Sequence, residues 1–438
     1  MWAIIRLKVY KGKGAVMEQR IYAVIDLKSF FASCECAERG LDPFTTNLVV
    51  ADPERGKGTI CLAVTPAMKK LGVSNRCRLF EIPKNIKYIM AKPKMKLYMQ
   101  KSAEINAIYL RYVSPDDMHV YSIDECFIDL TDYIKLYNTD AITLAKTLTN
   151  AVMQETGICA TVGIGTNMYL AKIALDITAK HSPDFIGYLD EELYKKTLWK
   201  HKPLTDFWNV GNGTVKRLLR YGVTTMQGVA QMPEEVLYKE FGVNAEFLID
   251  HAWGKESCTI KDIKEYRTKN CSISSGQVLF SDYEVKDAEI VLKEMVFNLT
   301  LKLVKTKTVT SSISLAIGYA DRTVGIDSVS RRLGQETASF NVLSQRFTEL
   351  FYSIVDTTKK IRRINVAFGG VRQPEYSTFD MFTDVESLDK EHALLETTVS
   401  VQKKYGKNAL LKGMSYLDKA TQRERSKMIG GHNAGEDE

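Results

Sequence analysis

Apolar runs and segments with helical periodicity alternate along the first part of the chain. Residues 20–182 contain several strand-like runs, of which 21–27 and 158–164 are the clearest. Segments whose apolar residues recur every three to four positions predict helices over residues 30–39, 66–71, 95–113, 140–156 and 167–180. This alternation of strands and helices predicts a mixed α/β or α+β core for the block.

The rest of the chain divides into blocks of different pattern. Residues 183–258 are helical and interrupted by glycines, and the polar segment 259–270 predicts a linker. Residues 271–371 predict the order β-α-β-β-α-β of a ferredoxin-like domain. Its predicted strands and helices cover residues 271–280, 284–305, 309–320, 331–340, 341–355 and 361–371. Residues 372–438 predict a tail with one amphipathic helix over residues 389–405.

The composition is that of an ordinary globular protein, with 45% hydrophobic and 26% charged residues. The length of 438 residues is enough for several domains. No apolar run reaches the roughly 18 residues that span a membrane, so we expect no membrane partner. The cysteines form no CxxC pair, which favours reduced thiols in the cytoplasm over disulfides or structural zinc. The net charge of +7 lies mostly in residues 264–375 and weakly favours a nucleic-acid partner.

Two adjacent carboxylates, Asp124 and Glu125, interrupt the apolar run 120–129. Successive strand residues point to opposite faces, so both acids reach one ligand only at a tight turn or strand end. Unpaired buried carboxylates are costly, so the pair indicates either a bound cation or a hairpin turn with two solvated acids. A third acid, Asp26, ends the strand-like run 21–27 and favours the cation. Three carboxylates suit Mg²⁺, and two such ions about 3.5–4 Å apart are the usual arrangement for nucleotidyl transfer.

A Val-Gly-x-Gly turn lies between two predicted short helices of the second block. Val210, Gly211 and Gly213 form the turn, and Lys216 follows just inside the second helix. The glycines permit positive φ, and the amides at the helix N-terminus would face a phosphate, as in a helix-hairpin-helix. The alternative is an ordinary turn between helices with a glycine C-cap.

Cations of the third block fall near strand ends or on alternating strand positions. They are Lys305, Lys307, Arg322, Arg331, Arg332, Arg362 and Arg363. A sheet face with alternating cations can lie along a phosphate backbone, although scattered cations are more often simply solvated. The surplus of positive charge in this block favours DNA.

Taken together, Tyr121–Glu125 and Asp26–Glu35 resemble motifs of the Y-family, lesion-bypass DNA polymerases. The Ser-Cys-Glu ending at residues 33–35 is similar to the UmuC-like branch, and the resemblance covers residues 20–382 with the motifs in order. It implies an α+β polymerase right hand with a ferredoxin-like little finger. The implied domains are a palm (20–31 and 96–182), fingers (32–95), a helical thumb with the helix-hairpin-helix (183–258) and a little finger (271–371). Residues 1–19 would be a leader.

For the metal site, the resemblance implies that Asp26, Asp124 and Glu125 bind two Mg²⁺ ions. Leu27 would contribute its backbone carbonyl oxygen, so that Lys28, where the family has a second acid, need not be harmful.

For the nucleotide, Phe31 matches the steric gate, the aromatic ring that lies under the deoxyribose and excludes a 2′-hydroxyl. The Phe30 side chain is expected in the core, with its backbone amide facing the triphosphate. Lys172 matches a lysine that reaches the triphosphate, and Lys69 lies where the fingers supply a cation. Alone, Phe31 is more often a core aromatic and Lys172 a solvated helix lysine, but the order of the motifs favours the functional roles. Thr65-Pro66 stands where many relatives have Tyr or Ser beside the fingers cation.

Residues 378–382 resemble a degenerate sliding-clamp binding peptide, with Phe379, Met381 and Phe382 as apolar anchors. The resemblance implies a cytoplasmic, nucleoid-associated polymerase of low fidelity without proofreading. Its implied partners are primer-template DNA, dNTPs, the clamp and accessory SOS subunits. Two other interpretations stay open: another two-metal palm enzyme, such as a nucleotidyl cyclase, and a catalytically silent DNA-binding adaptor.

Overall fold

The structure, a computed structural model, describes residues 20–56, 58–268, 271–321, 323–374 and 384–435. The predicted leader (1–19) and the predicted clamp-binding residues Phe379, Met381 and Phe382 lie outside these ranges. The described chain divides into two compact units, one of residues 20–266 with Gly435 and one from residue 267 to 434. None of the helices among the described residues is long and apolar enough to cross a membrane.

The first unit contains two sheets and most of the helices. Its strands are β1 (Tyr22–Leu27), β2 (Leu48–Val50), β3 (Ala63–Val64), β4 (Ile89–Ala91), β5 (Met118–Val120), β6 (Glu125–Asp129), β7 (Ala160–Gly165) and β8 (Ile186–Leu189). Its helices are α1 (Phe30–Ala37), α2 (Pro66–Lys70), α3 (Met95–Tyr109), α4 (Thr131–Leu136), α5 (Ala141–Thr156), α6 (Met168–Ile173), α7 (Glu191–Thr197), α8 (Asn212–Leu219), α9 (Met226–Ala230), α10 (Glu234–Phe241), α11 (Ala245–Ala252) and α12 (Ile260–Glu265). The main sheet has the order β5-β6-β1-β7-β8, and the small sheet has the order β3-β2-β4.

The central strand β1 is buried on both faces of the main sheet. Ala23, Ile25 and Leu27 belong to the core that includes α1, α3 and α5 residues. Tyr22 and Val24 belong to a second cluster with residues of α6 and α12. Because alternate strand residues point to opposite faces, a continuous apolar run such as 22–25 is what a strand between two helical layers requires.

Helix α6 lies directly on the main sheet because two glycines of β7 leave room for it. A Cβ on Gly163 would lie 2.1 Å from the Ala171 carbonyl oxygen, and one on Gly165 would lie 2.2 Å from the Ala171 nitrogen. The predicted continuous helix 167–180 is interrupted: α6 gives way to a π-helical turn over Ala174–Thr178 and then a 3₁₀ turn. The widened turn lies where the helix backbone meets Gly187 of β8.

The predicted linker 259–270 begins with α12, and the boundary between the two units lies within it, after Tyr266. Thr259 and Asp262 form a reciprocal capping box, with Oγ1 accepting from the Asp262 nitrogen at 3.2 Å and Oδ2 accepting from the Thr259 nitrogen at 2.9 Å. Ile260 is buried in the cluster that covers β1. The local cap and the apolar contacts of Ile260 and Ile263 therefore make this polar segment helical.

The second unit confirms the predicted β-α-β-β-α-β order. Its elements are β9 (Cys271–Tyr283), α13 (Val285–Thr306), β10 (Thr310–Tyr319), β11 (Ile326–Thr337), α14 (Phe340–Ile354) and β12 (Ile361–Val371). The sheet order is β11-β10-β12-β9, and the core lies between the sheet and the two helices. Strand β11 begins five residues before the predicted start at 331, because this edge strand is polar and lacks a clear apolar alternation.

The predicted tail 372–438 is also corrected, because residues 385–434 contain ordered elements of the second unit. They are α15 (Val385–Tyr405), α16 (Gln422–Ser426), β13 (Met428–Ile429) and β14 (His432–Asn433). Leu395 of α15 lies in the core of this unit. Glu294 of α13, which is 1% exposed, accepts hydrogen bonds from the backbone nitrogens of Thr421 and Gln422 at 2.8 and 3.1 Å. Buried apolar and polar contacts of long sequence separation thus hold this segment, and local periodicity does not reveal them.

Candidate active site

Two of the predicted acids lie side by side on neighbouring strands at the centre of the main sheet. In the antiparallel pair β1–β6, Asp26 lies directly opposite Glu125. Directly opposed residues share a face of the sheet, with Cβ atoms about 4.5–5.5 Å apart. Asp124 immediately precedes β6, and its carbonyl oxygen accepts a hydrogen bond from the Leu27 nitrogen at 2.9 Å. The tertiary structure therefore brings all three predicted acids to one end of the strand pair.

Asp124 and Glu125 lie where a tight turn between β5 and β6 meets the start of β6. The Tyr121 and Ser122 nitrogens both donate to the Glu125 carbonyl oxygen, at 2.9 and 3.1 Å. The Ser122 hydroxyl donates to Asp124 Oδ1 at 2.6 Å and accepts from the Asp124 nitrogen at 3.3 Å. Ser122 thus holds the turn and orients the Asp124 carboxylate.

Burial makes this an unfavourable place for negative charge alone. The pKa of Asp26 is raised to about 6, chiefly by burial, and the positive charge of Lys180 opposes the shift. Burial likewise raises the pKa of Glu125 to about 6, and the positive charge of the neighbouring Lys172 ammonium opposes this shift. Additional positive charge would therefore stabilise the ionised acids.

The donor set at this turn fits a divalent cation. Asp26, Asp124 and Glu125 supply hard carboxylate oxygens, and the Leu27 carbonyl lies on the same strand end. Among the described residues, however, no three His, Cys, Asp or Glu side chains are already gathered around a single metal position. The three carboxylates are thus adjacent in the backbone, and their side chains are not gathered around one point.

Lys172 is buried between two acids. Its Nζ lies 2.7 Å from Glu125 Oε1 and 3.1 Å from Asp176 Oδ2, and the side chain is 8% exposed. The close approach of α6 to Gly163 and Gly165 places it there. Its predicted contact with a triphosphate stays a prediction, while the structure adds an ion pair that orients Glu125.

Sequence reasoning missed Lys180 and Asp176. Asp176 accepts from Lys180 Nζ at 2.7 Å, and the Lys180 side chain is 41% exposed. The signal was present, because residues 172, 176 and 180 follow the i, i+4 spacing of one helix face with alternating charge.

Two further lysines lie in the electrostatic neighbourhood of Asp26. Burial lowers the pKa of Lys69 on α2, an effect that Asp26 opposes and Lys180 reinforces. Burial also lowers the pKa of Lys28, whose ammonium lies 3.6 Å from the centre of the Phe185 ring. Lys28, Lys69 and Lys180 come from three separate segments, and together they form a positive region beside the acids.

The fingers position at Thr65-Pro66 is structural. Thr65 is fully buried and caps α2, accepting from the Met68 nitrogen at 3.4 Å. Its hydroxyl also donates to the Thr46 carbonyl oxygen at 2.8 Å and accepts from the Leu48 nitrogen. Pro66 occupies the first helical position, where its missing N–H costs nothing. Of this helix, Lys69 is the residue that lies near the acids.

The two predicted nucleotide aromatics begin α1, directly after β1. Ser29 makes the turn with a left-handed backbone, φ 50°, which is uncommon for a residue other than glycine. Phe30 is 3% exposed and belongs to the core, as expected for its side chain. Phe31 is only partly buried, and its ring stacks on Tyr98 with centroids 4.5 Å apart.

The Val-Gly-x-Gly turn is exposed except for Val210, which is 6% exposed. Gly211, Gly213 and Lys216 lie at the surface, and apart from the adjoining backbone no described atom lies within 4 Å of a Cβ position on either glycine. The expected positive φ is found instead at Asn209 (φ 68°), while Gly211 is extended. The first predicted helix is a single 3₁₀ turn over Leu204–Asp206, and the second is α8.

An aromatic cluster joins this turn to the acids. The Trp208 ring lies 5.9 Å from Phe127 of β6 and 6.0 Å from Tyr121, and its Nε1 donates to the Tyr121 hydroxyl at 3.3 Å. Tyr121 is three residues before Asp124. The segment that carries Gly211 is thus in contact with the acid turn.

In the second unit, Arg331 and Arg332 are exposed on the edge strand β11. Arg331 lies opposite the buried Ile313 and Arg332 opposite Ser312, so the two point to opposite faces of the sheet. Only Arg332 shares the face that α13 and α14 leave uncovered. That face carries small residues such as Ser314 and Ser330, whose hydroxyls lie 2.7 Å apart.

Comparison with known proteins relates both units to one family. Residues 25–176 match the impB/mucB/samB family model, and residues 271–381 match the impB/mucB/samB family C-terminal domain. UvrX of Bacillus subtilis (strain 168), which is named for UV-damage repair, is 30% identical over 94% of this chain and 97% of its own. DNA polymerase IV 2 of the same organism is 29% identical over 95% of this chain and its full length.

A solved structure shares the fold. A Y-family DNA polymerase chimera, Dbh-Dpo4(243-245)-Dbh, matches with a TM-score of 0.64 at 20% identity. The match covers 80% of this chain and 99% of the chimera. At this identity the likeness concerns the fold alone.

Proposed function

Because the chain belongs to the impB/mucB/samB family, the UmuC-like branch of the Y-family DNA polymerases, we propose that it extends primers opposite damaged template bases. It is a DNA-directed DNA polymerase with DNA and dNTPs as its substrates. The observation that supports a working active site is the register of β1 and β6, which sets Asp26 opposite Glu125 with Asp124 at the adjoining turn. A silent adaptor would have no need to retain these buried acids.

The family uses a divalent metal cofactor, which we propose to be two Mg²⁺ ions. Asp26, Asp124, Glu125 and the Leu27 carbonyl would hold them. When bound, the ions lower the pKa of the primer 3′-hydroxyl and neutralise charge on the leaving pyrophosphate. Lys172 orients Glu125 through its ion pair, and Ser122 orients Asp124 through its hydrogen bond.

For the nucleotide, Lys28, Lys69 and Lys180 supply positive charge to the triphosphate beside Asp26. Lys172, buried between two acids, reaches the phosphates only if they approach Glu125. The Phe30 backbone amide lies at the start of α1, next in the chain to Phe31, whose ring would lie under the deoxyribose. A hydroxyl at the 2′ position would collide with that ring, so ribonucleotides are disfavoured.

DNA contacts would come from both units. The exposed turn with Gly211 and Gly213, followed by Lys216, presents backbone amides to a phosphate. On the second unit, Arg332 and the uncovered sheet face suit a DNA backbone, and Arg331 would contact DNA only from the edge.

Three further proposals rest on the resemblance. Phe379, Met381 and Phe382 would anchor a sliding clamp. Accessory SOS subunits would join the polymerase at damaged sites. The protein would act in the cytoplasm at the nucleoid. Pull-down of the purified clamp by the full chain, compared with a Phe379→Ala and Phe382→Ala double variant, tests the first.

A primer-extension assay tests the central proposal. The full chain is incubated with Mg²⁺, dNTPs and a primed template that is either undamaged or contains an abasic site. Extension of both templates is expected, and an Asp124→Ala and Glu125→Ala double variant should bind DNA but not extend it. Equal extension by this variant would disprove the assignment of the acids. DNA binding without extension by the unaltered chain would favour the adaptor.

A further inference from the structure

The ring of Phe31 is supported by a second ring that no motif marks. Tyr98 of α3 is fully buried, and its ring stacks on Phe31 with a centroid distance of 4.5 Å and an interplanar angle of 16°. Phe31 remains partly exposed. A close, nearly parallel stack restricts the tilt of the partly exposed ring, because aromatic pairs have specific preferred geometries.

The supporting ring is itself held by a buried carboxylate. The Tyr98 hydroxyl donates to Glu35 Oε1 at 2.8 Å, and Glu35 is fully buried on α1. The other carboxylate oxygen of Glu35 accepts from the Arg39 guanidinium. Burial and the Glu35 charge raise the pKa of Tyr98 well above its usual range, so the hydroxyl stays protonated and donates.

Phe31, Tyr98 and Glu35 are linked to one another by direct contacts of Tyr98 and by the positions of Phe31 and Glu35 on α1. Phe31 and Glu35 are four residues apart on α1 and therefore lie on one face of the helix. Tyr98 meets both of them, one through its ring and the other through its hydroxyl. Displacing the Phe31 ring would therefore require Tyr98 to move, and with it a charge-assisted hydrogen bond inside the core.

We propose that Tyr98, anchored by Glu35, is a positioning residue that sets the sugar selectivity of the enzyme. The inference rests on the proposed function, because it takes Phe31 as the gate. Exclusion of a 2′-hydroxyl requires a ring that does not yield by a fraction of an ångström, and packed interiors resist such shifts. Tyr98 contacts no reacting atom; it acts through Phe31.

The test measures selectivity, the ratio of kcat/KM for a dNTP to that for the matching rNTP. Tyr98→Phe keeps the stacked ring but removes the hydrogen bond, and it should lower the ratio about three- to tenfold. Tyr98→Leu removes the stack as well and should lower the ratio further, though less than Phe31→Ala. In each case rNTP incorporation rises more than dNTP incorporation falls.

Tyr109 provides a matched control on the same helix. It is 2% exposed, and its hydroxyl makes no hydrogen bond within the described part of the chain. Tyr109→Phe should leave the selectivity unchanged. Glu35→Gln retains an acceptor for the Tyr98 hydroxyl and should stay near the unaltered ratio, whereas Glu35→Leu should match Tyr98→Phe.

The outcomes separate the inference from the function on which it rests. Equal losses of kcat/KM for dNTP and rNTP in both Tyr98 variants would overturn the inference about Tyr98, because a purely structural role would lower kcat/KM equally for the two substrates. Should Tyr98→Leu fail to fold, Tyr98→Phe alone decides. An unaltered chain that does not extend primers refutes the proposed function. Normal extension with unchanged selectivity in Phe31→Ala refutes the gate and the inference together.

Discussion

Replacement of Asp26 by Asn is expected to stabilise the metal-free protein while it abolishes extension. Burial raises the pKa of Asp26 from 3.8 to about 6. A shift of about two pKa units corresponds to about 3 kcal/mol by which the ionised form destabilises the fold. Asn has the same shape without the charge, but its amide must still be desolvated. We therefore expect Asp26→Asn to raise the free energy of unfolding by about 1–2 kcal/mol at pH 7.5. For a unit of this size, that corresponds to an increase in Tm of about 2–6 °C.

The pH dependence has a definite sign. A carboxyl whose pKa is raised in the folded state binds its proton more tightly there than in the unfolded chain. Stability of the unaltered protein therefore falls as the pH rises from about 4 to about 6. The advantage of Asp26→Asn should be full above about pH 6 and vanish below about pH 4. Thermal unfolding without divalent cations, followed by circular dichroism across this range, measures it.

Asp129 is a matched control at the other end of the β1–β6 pair. It is 7% exposed, but it accepts from Arg20 at 3.0 Å and from the Thr131 hydroxyl at 2.6 Å. Asp129→Asn loses the Arg20 ion pair and should lower the stability by about 1 kcal/mol. Millimolar Mg²⁺ should raise the Tm of the unaltered chain and leave that of Asp26→Asn unchanged, because a ligand stabilises only the state that binds it. An Asp26→Asn protein with equal or lower Tm at pH 7.5, beside a normal control, would refute the reasoning.

Three further predictions follow from contacts described above. Lys172→Met should lower the free energy of unfolding by about 3 kcal/mol, because it leaves Glu125 and Asp176 without their buried partner. Lys180→Met should keep the Tm and raise the KM for dNTP. The reverse pattern in thermal melting and steady-state kinetics would contradict these two roles. Truncation after residue 383 should destabilise the second unit by exposing Glu294. Glu294→Leu in the truncated chain should recover part of the lost Tm. An unchanged Tm after truncation would mean that residues 384–438 do not stabilise the second unit. Trp208→Phe removes the hydrogen bond to Tyr121 and should slow single-turnover extension about threefold at unchanged Tm. Trp199→Phe loses a hydrogen bond to the Ala252 carbonyl and should lower the Tm but not the extension rate. Equal extension rates in both variants would argue against coupling of Trp208 to the acids through Tyr121.

Local patterns in the sequence were enough to predict most elements and the acids. Apolar runs and helical periodicity depend on neighbouring residues, so β1, α5, β12 and the β-α-β-β-α-β order were predictable. The predictions failed where distant contacts decide the structure. Residues 385–434 are ordered because Leu395 packs into the core of the second unit and Glu294 accepts hydrogen bonds from the Thr421 and Gln422 nitrogens. Helix α12 is ordered because Ile260 reaches the cluster over β1.

By itself, the sequence determined which residues could perform the chemistry: three acids, the Phe31 ring and the lysines Lys69 and Lys172. Only the tertiary structure decided how they are placed. The antiparallel register sets Asp26 opposite Glu125, and two glycines of β7 admit the helix whose Lys172 pairs with Glu125. It also brings Lys180 near Asp26 and sets Tyr98 against Phe31. These placements depend on packing between segments far apart in the chain, and such packing leaves no periodic signal in any one of them.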